Sequence, residues 1–311
     1  MEILKDLILR YGIIFGKRFN PKEKISFLRV LSKELAPLGY QVDAKLSKLK
    51  LATRRYQNYY NAYIGDLNKA EVIICTNYDT GINNFNLQKT YAFQSQFSKL
   101  TYFISVAPFI FLFIASLILN YLVFLPDIRI NGFFSVSGIS AIVSTVLLFF
   151  LIAKFKSGIP NTKNFVCNSS SIITIINLIN KLDKKEKKKV AFVLYDGGNS
   201  GQYGLKMLES YAKQIKDKKF IFLDSIANGD DLVFLKPQGS ALNIKDIHFH
   251  HGSIEIQLSN YIMITSGHIN EDNKILIKNA HSSKDNYLSD ERLEKHTQSL
   301  RDVCRSLMNG K

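Results

Sequence analysis

Cysteine is scarce in this chain of 311 residues: the three present, Cys75, Cys167 and Cys304, are odd in number and far apart. That count argues against a disulfide framework and for a reducing compartment. Acidic residues are also short, 26 Asp+Glu against 41 Lys+Arg, which leaves a formal charge of +15. No internal repeat and no low-complexity linker is present. The opening stretch, MEILKDLILRYGIIFGKRFN, has no small-residue cleavage site and places Glu2, Lys5 and Asp6 ahead of a short, interrupted apolar pattern. It reads as a retained helix rather than a signal peptide. Charge is missing altogether from two long apolar runs, residues 101–125 and 132–153.

Each of these runs exceeds the about 20 residues that a helix needs to cross the hydrocarbon core of a bilayer. Two consecutive buried helices of a water-soluble protein would instead require an unusually large all-apolar centre. Residues 126–131 form the only connection, so the chain is expected to cross, turn tightly and return, leaving both flanking segments on one side. Ser137, Ala141 and Thr145, with Ser140 and Ser144 beside them, give the second run small residues at helical spacing, suited to close packing of the hairpin. Lys89, Lys99, Lys154, Lys156 and Lys163 flank the outer ends, whereas the connection carries Arg129 offset by Asp127. The positive-inside rule therefore places the soluble part in the cytoplasm, with the protein a multi-pass component of the cell membrane. Its excess positive charge suits an anionic leaflet. The densest basic run, 181–189, has no interleaved aromatics and no nucleic-acid motif, so it reads as a solvated connection. The expected partners are the lipid bilayer and a peptide or membrane protein, with no nucleic acid.

Outside the hairpin, helix and strand periods alternate. Apolar residues at spacings of three and four predict helices over 23–38, 170–182, 204–214 and 290–308. Strands are predicted over 41–46, 59–64, 71–76, 190–194, 220–223, 254–258, 261–265 and 275–277. The runs VIIC and VAFVL are continuous enough to be covered on both faces. The expected fold is α/β, a mixed and mainly parallel sheet with helices on both faces, plus the inserted two-helix transmembrane hairpin. Residues 1–98 and 156–311 make one discontinuous domain, because cutting at the hairpin (101–153) would leave two partial sheets.

In such sheets chemistry gathers where strands end, which directs attention to five short segments. They are Asn77-Tyr78-Asp79-Thr80, Cys167-Asn168-Ser169-Ser170-Ser171, Asp196-Gly197-Gly198-Asn199, Asp224-Ser225 and His281-Ser282-Ser283-Lys284-Asp285. In this order they resemble the M28 family of zinc aminopeptidases, across nearly all of the soluble domain. The family's His-x-Asp resembles EVIICTNYDT, its Asp-Asn-Ala-Ser-Gly helix start resembles CNSSSIITIINLI, and its Glu-Glu-x-Gly-x-x-Gly resembles GNSGQYGLKML. Its strand-Asp resembles FIFLDSIANGDDL, and its late His-Thr-x-x-Asp resembles AHSSKDNYL.

The resemblance implies a zinc-exopeptidase fold and, in the family, two zinc ions with a glutamate as general base. Here the first His position is Asn77, the bridging Asp position is Cys167, the base position is Gly198 and the ligand Glu position is Asn199. Asp224 and His281 are kept, as is Asp79, which in the family orients the first His. An amide is a poor zinc ligand, and Gly198 has no group to take a proton. No catalytic residue and no cofactor are therefore expected, and a binding module is the leading expectation. The alternative is a mononuclear metallohydrolase with one zinc on Cys167, Asp224 and His281.

Three smaller features complete the search. His248, His250 and His251 are expected on an exposed polar edge strand. The glycine-rich stretch 197–204 lacks the Lys-Ser/Thr of a P-loop and fits an M28-like turn. Ser169, Ser170 and Ser171 are expected to cap the following helix.

Overall fold

The computed structural model describes residues 2–50, 56–85, 88–94, 99–199, 202–212, 215–229, 231–272 and 274–309. They divide into two compact units, Met1–Phe97 with Asn161–Lys311, and Ser98–Pro160. The expected first boundary, residue 98, lies outside the described residues.

In the first unit, α1 (Glu2–Ile8) runs on as a π-helical segment, Leu9–Ile14. Helix α2 (Pro21–Leu35) starts at a capping box: the Glu23 amide donates to Asn20 Oδ1 at 3.0 Å, and the Asn20 amide donates to Glu23 Oε2 at 3.1 Å. Pro21 sits where its missing N–H costs nothing. The strands before the hairpin are β1 (Val42–Lys50), β2 (Tyr56–Ile64), β3 (Val72–Asn77) and β4 (Thr90–Tyr91). After it come β5 (Val190–Tyr195), β6 (Lys219–Asp224), β7 (Val233–Lys236), β8 (Phe249–His251), β9 (Tyr261–Thr265), β10 (His268–Ile269) and β11 (Ile275–Ile277).

Eight strands form the main sheet in the order β1-β2-β5-β3-β6-β9-β7-β8. Its centre, β5-β3-β6-β9, is parallel, and antiparallel pairs flank it. Period two divides the core. Ile74, Phe192, Leu194, Ile221 and Leu223 point into one cluster with α1 and α2, while Ile73, Cys75, Val193, Phe220 and Phe222 point into the other. This is why the central strands read as unbroken apolar runs.

One strand expectation needs correction. Residues 254–258 alternate in polarity yet form no strand: the Ile256 amide turns back to Ile254 O at 2.8 Å, and burial of Ile254 satisfies the apolar positions without pairing. The 275–277 strand lies outside the main sheet, paired with β4 and β10. Strand β7, not among the predicted strands, and β8, at the expected edge strand of His248, His250 and His251, take the far edge.

The helices of the second unit are α3 (Lys99–Leu119), α4 (Leu125–Asn131) and α5 (Val136–Phe155). A π-helical stretch, Asn120–Phe124, joins α3 to α4, so helix continues through Pro126 and the expected 126–131 turn is displaced to 132–135. The π-turn relaxes the backbone just where proline removes a donor, which lets the helix pass. The turn then falls at Gly132 (φ +84°), and Ser135 caps α5. Both Lys99–Asn131 and Val136–Phe155 are long and apolar enough to cross a membrane.

Three further helices cover the main sheet and a short one leads into it: α6 (Ser170–Lys181), α7 (Glu186–Lys189), α8 (Tyr203–Ala212) and α9 (Asp290–Met308). The expected end of α8 at 213–214 lies outside the described residues. Within the basic run, Glu186 accepts from Arg301 Nη2 at 3.0 Å and Arg305 Nε at 2.6 Å. Partial burial opposes its charge, but the Asp183 amide and these guanidinium groups win and hold its carboxyl down to about 2.

Candidate functional site

The carboxyl ends of β3, β5 and β6 lie side by side, with Asn77 in register with Tyr195 and Thr76 with Leu223. This alignment brings Asn77, Cys167, Gly198, Asn199, Asp224 and His281 around one cavity of about 20 Å³. That is room for about one water molecule.

Cys167 precedes α6 in a segment that is not regularly helical, where Asn168 takes φ 69°. Asp285 fixes it, accepting from the amides of Val166 at 2.7 Å and Cys167 at 3.1 Å. Burial outweighs these bonds and raises the Asp285 carboxyl to about 7. Cys167 Sγ then meets His281 Nε2 at 3.3 Å. Burial pushes the thiol well above its ordinary value, and the nearby carboxylates of Asp224 and Asp285 push the same way. Burial lowers His281 to about 4. Both partners are therefore neutral at pH 7, a thiol facing an imidazole, unlike the thiolate that nucleophilic chemistry requires.

Among the described residues His281 Nδ1 is buried with no hydrogen-bond partner, facing Gly81, where an added Cβ would stand 3.2 Å from it. A metal-ligating histidine normally donates its second ring nitrogen to a carboxylate or carbonyl, which fixes its orientation. Asp224 is also committed: its Oδ2 accepts from the Phe93 amide at 2.7 Å and its Oδ1 from Ser225 Oγ at 2.8 Å. Burial raises its carboxyl, partly opposed by these two bonds. Among the described residues no three His, Cys, Asp or Glu side chains converge as a metal-binding group. The donor set does not fit a zinc ion.

A Cβ added at Gly198 would lie 2.4 Å from Asn77 Cβ, so the Asn77 side chain fills the space from which any side chain at position 198 would start. Asp79 accepts the amides of Gly198 at 2.8 Å and Asn199 at 3.3 Å. Asn199 Nδ2 returns a bond to Asp79 O at 2.6 Å. Burial raises Asp79 to about 6, against the pull of Lys24 and these amides. Because the loop amides point at Asp79, they are not presented to a phosphate; Ser200 and Gly201 of the same stretch lie outside the described residues.

The support beneath this loop was not legible in any motif. Arg18 is fully buried and donates to Tyr78 O at 2.5 Å, Phe15 O at 2.6 Å and Ser169 Oγ at 3.1 Å. Burial lowers it to about 10, with Asp79 acting against the shift. Lys24 pairs with buried Asp196 at 2.5 Å, and Asp196 also accepts from Gly197 and Tyr60 amides at 2.7 and 3.1 Å. Single charged residues within ordinary helix or loop patterns give no sequence signal of such convergence.

The serines do not cap α6. Ser169 Oγ donates to Tyr11 O at 3.1 Å, Ser170 Oγ to Val166 O at 2.5 Å, and Ser171 Oγ has no partner. Residue 169 is already right-handed helical, so the extended geometry of a cap is absent. His248 and His250 meet edge to face, ring centroids 5.0 Å apart, at edge strand β8, away from the cavity lining.

No protein-family model and no curated protein matches the chain. Solved structures do. A Zn-dependent exopeptidase from Parabacteroides distasonis is similar with TM-score 0.58 and 11% identity, over 97% of this chain and 94% of that one. Glutaminyl cyclase from Porphyromonas gingivalis gives 0.58 and 10%, over 98% and 96%. A leucine aminopeptidase precursor from Bacteroides thetaiotaomicron gives 0.53 and 12%, over 96% and 94%. At these identities the likeness is one of fold: a mixed α/β sheet of the zinc-exopeptidase type, shared by peptidases and glutaminyl cyclases.

Proposed function

We propose that the chain is a membrane-anchored protein of zinc-exopeptidase fold that has given up dinuclear zinc hydrolysis and acts as a peptide- or protein-binding module. The observation that carries this reading is the contact of Asn77 with Gly198, which closes the space for a general base at the position where the fold family keeps one. The buried Cys167 supports it, because a protonated thiol is not prepared for nucleophilic chemistry. The small cavity directs recognition to the outer surface rather than to an enclosed peptide pocket. Lys99, Lys154 and Lys156 at one end of the hairpin support a cytoplasmic soluble unit at the cell membrane.

The test is metal analysis and peptide assay of the full chain purified in detergent without chelator. The expected result is substoichiometric zinc, unchanged in Cys167→Ala, with no release of N-terminal residues and no cyclisation of N-terminal glutamine. Stoichiometric zinc that disappears in Cys167→Ala, together with turnover, would establish the mononuclear hydrolase with Cys167, Asp224 and His281 instead.

A further inference from the structure

The hairpin contains a second cavity, of about 230 Å³, walled by Val106, Phe109 and Phe113 of α3 and by Ile152, Phe155 and Lys156 at the end of α5. Its wall is apolar apart from one feature, the lysine at its rim. Phe109 and Phe155 stack at 4.7 Å, and Tyr102 Oη donates to Lys156 O at 2.8 Å, so the two helices meet on either side of the groove without filling it. Lys154 Nζ lies 5.4 Å from the centroid of Phe155 and 5.9 Å from that of Phe150. Lys99 opens α3 at the same end, and no acidic residue occurs from 99 to 126 or from 132 to 163. An apolar groove thus ends at Lys156, on a helix pair whose own chain near that end carries two further lysines and no acidic residue.

We propose that this groove holds an acyl chain of an anionic phospholipid, with the headgroup phosphate at Lys156 and the neighbouring lysines. The inference rests on the membrane-anchored reading above and adds a defined ligand class to it. Charge decides the occupant. A second copy of the chain in the same membrane would bring its own three lysines to the same leaflet, like charge against like, whereas an anionic lipid matches the groove along its length. A zwitterionic lipid matches only the apolar part.

The chain has no tryptophan, so a single introduced one reports its own surroundings. Phe109→Trp places the reporter in the groove, Phe113→Trp is the replacement should that variant fail to fold, and Val146→Trp, at a position 63% exposed on α5, serves as the control. Each full-length variant is placed in zwitterionic nanodiscs containing a minor fraction of phospholipid brominated on its acyl chains, with either a phosphatidylglycerol or a phosphatidylcholine headgroup. Brominated phosphatidylglycerol is expected to quench the groove reporter about fivefold more effectively than brominated phosphatidylcholine, the gain of one lysine near an anionic headgroup. The control shows no preference, and Lys156→Gln removes the preference in the groove. Equal quenching by both lipids at the groove, or a preference untouched by Lys156→Gln, overturns the assignment. Protection at the groove with quenching at the control overturns it in favour of another helix, and absence of quenching at both sites overturns the membrane anchoring itself.

Discussion

Cys167 Sγ lies 3.3 Å from His281 Nε2, while the other ring nitrogen, Nδ1, is buried without a partner among the described residues. These two residues face each other in neutral form. Burial accounts for both shifts, since it disfavours thiolate and imidazolium alike.

The protonated thiol sets the first prediction. Cys75, Cys167 and Cys304 are all buried, and burial raises all three. Iodoacetamide at pH 7.5 should modify none of them in the folded protein within a time that modifies all three after denaturation. Mass spectrometry of the digests reads the outcome; fast native labelling of Cys167 would mean an activated thiol.

A second concerns the closed base position. Gly198→Glu should not create activity, and it should lower the unfolding free energy by about 1–3 kcal/mol, because its Cβ would overlap Asn77. Asn77→Gly in the same chain should recover most of that loss. Thermal unfolding of the two variants against the parent separates crowding at this contact from a general effect of the new carboxylate.

The buried pair beneath the loop makes a third. Asp196→Ala leaves the Lys24 ammonium without its 2.5 Å partner and the Gly197 and Tyr60 amides without their acceptor. Breaking one side of a buried ion pair costs about 3–5 kcal/mol. Denaturant unfolding of the soluble unit should show a loss of this size; a loss below about 1 kcal/mol would mean that the pair is solvated.

His281 gives a pH dependence with a definite sign. Its folded value, about 4, lies below the ordinary 6.5, so the unfolded chain takes up a proton first as the solution is acidified. Stability contributed by neutral His281 is complete above pH 6.5 and falls between 6.5 and about 4. Asp79 and Asp285, raised to about 6 and about 7, work in the opposite direction over the same interval. The informative quantity is therefore a difference: the parent should lose melting temperature relative to His281→Gln as pH drops from 6.5 to 4. Parallel curves would mean that the imidazole titrates normally in the fold.

Parts of this arrangement were legible in the residues alone. The runs VIIC, VAFVL and FIFL became β3, β5 and β6 because strands buried on both faces tolerate no polar alternation. The alternating stretch 254–258 misled for the converse reason: alternation records burial of every second residue, which a non-pairing loop can also achieve. Strand β7 is short and only partly buried, so it leaves little trace, whereas the polar run at His248, His250 and His251 marked edge strand β8. At the site, spacing pointed to Asn77, Cys167, Asn199, Asp224 and His281, but nothing in it pointed to Arg18, Lys24 or Asp196, whose partners are distant along the chain.

Composition by itself determined that two segments can cross a membrane, since length and absence of charge are properties of the segments alone. The family resemblance singled out Asn77, Cys167, Gly198 and Asn199 from the residues alone, since a side chain's chemistry does not depend on where it is folded. Only the tertiary structure decided what those residues touch. Whether Asn77 fills the space beside Gly198, whether Asp79 turns to the loop amides, and whether a thiol ends against an imidazole depend on distances between strands that the sheet register sets. Such distances arise from packing many residues at once, and no local pattern encodes them.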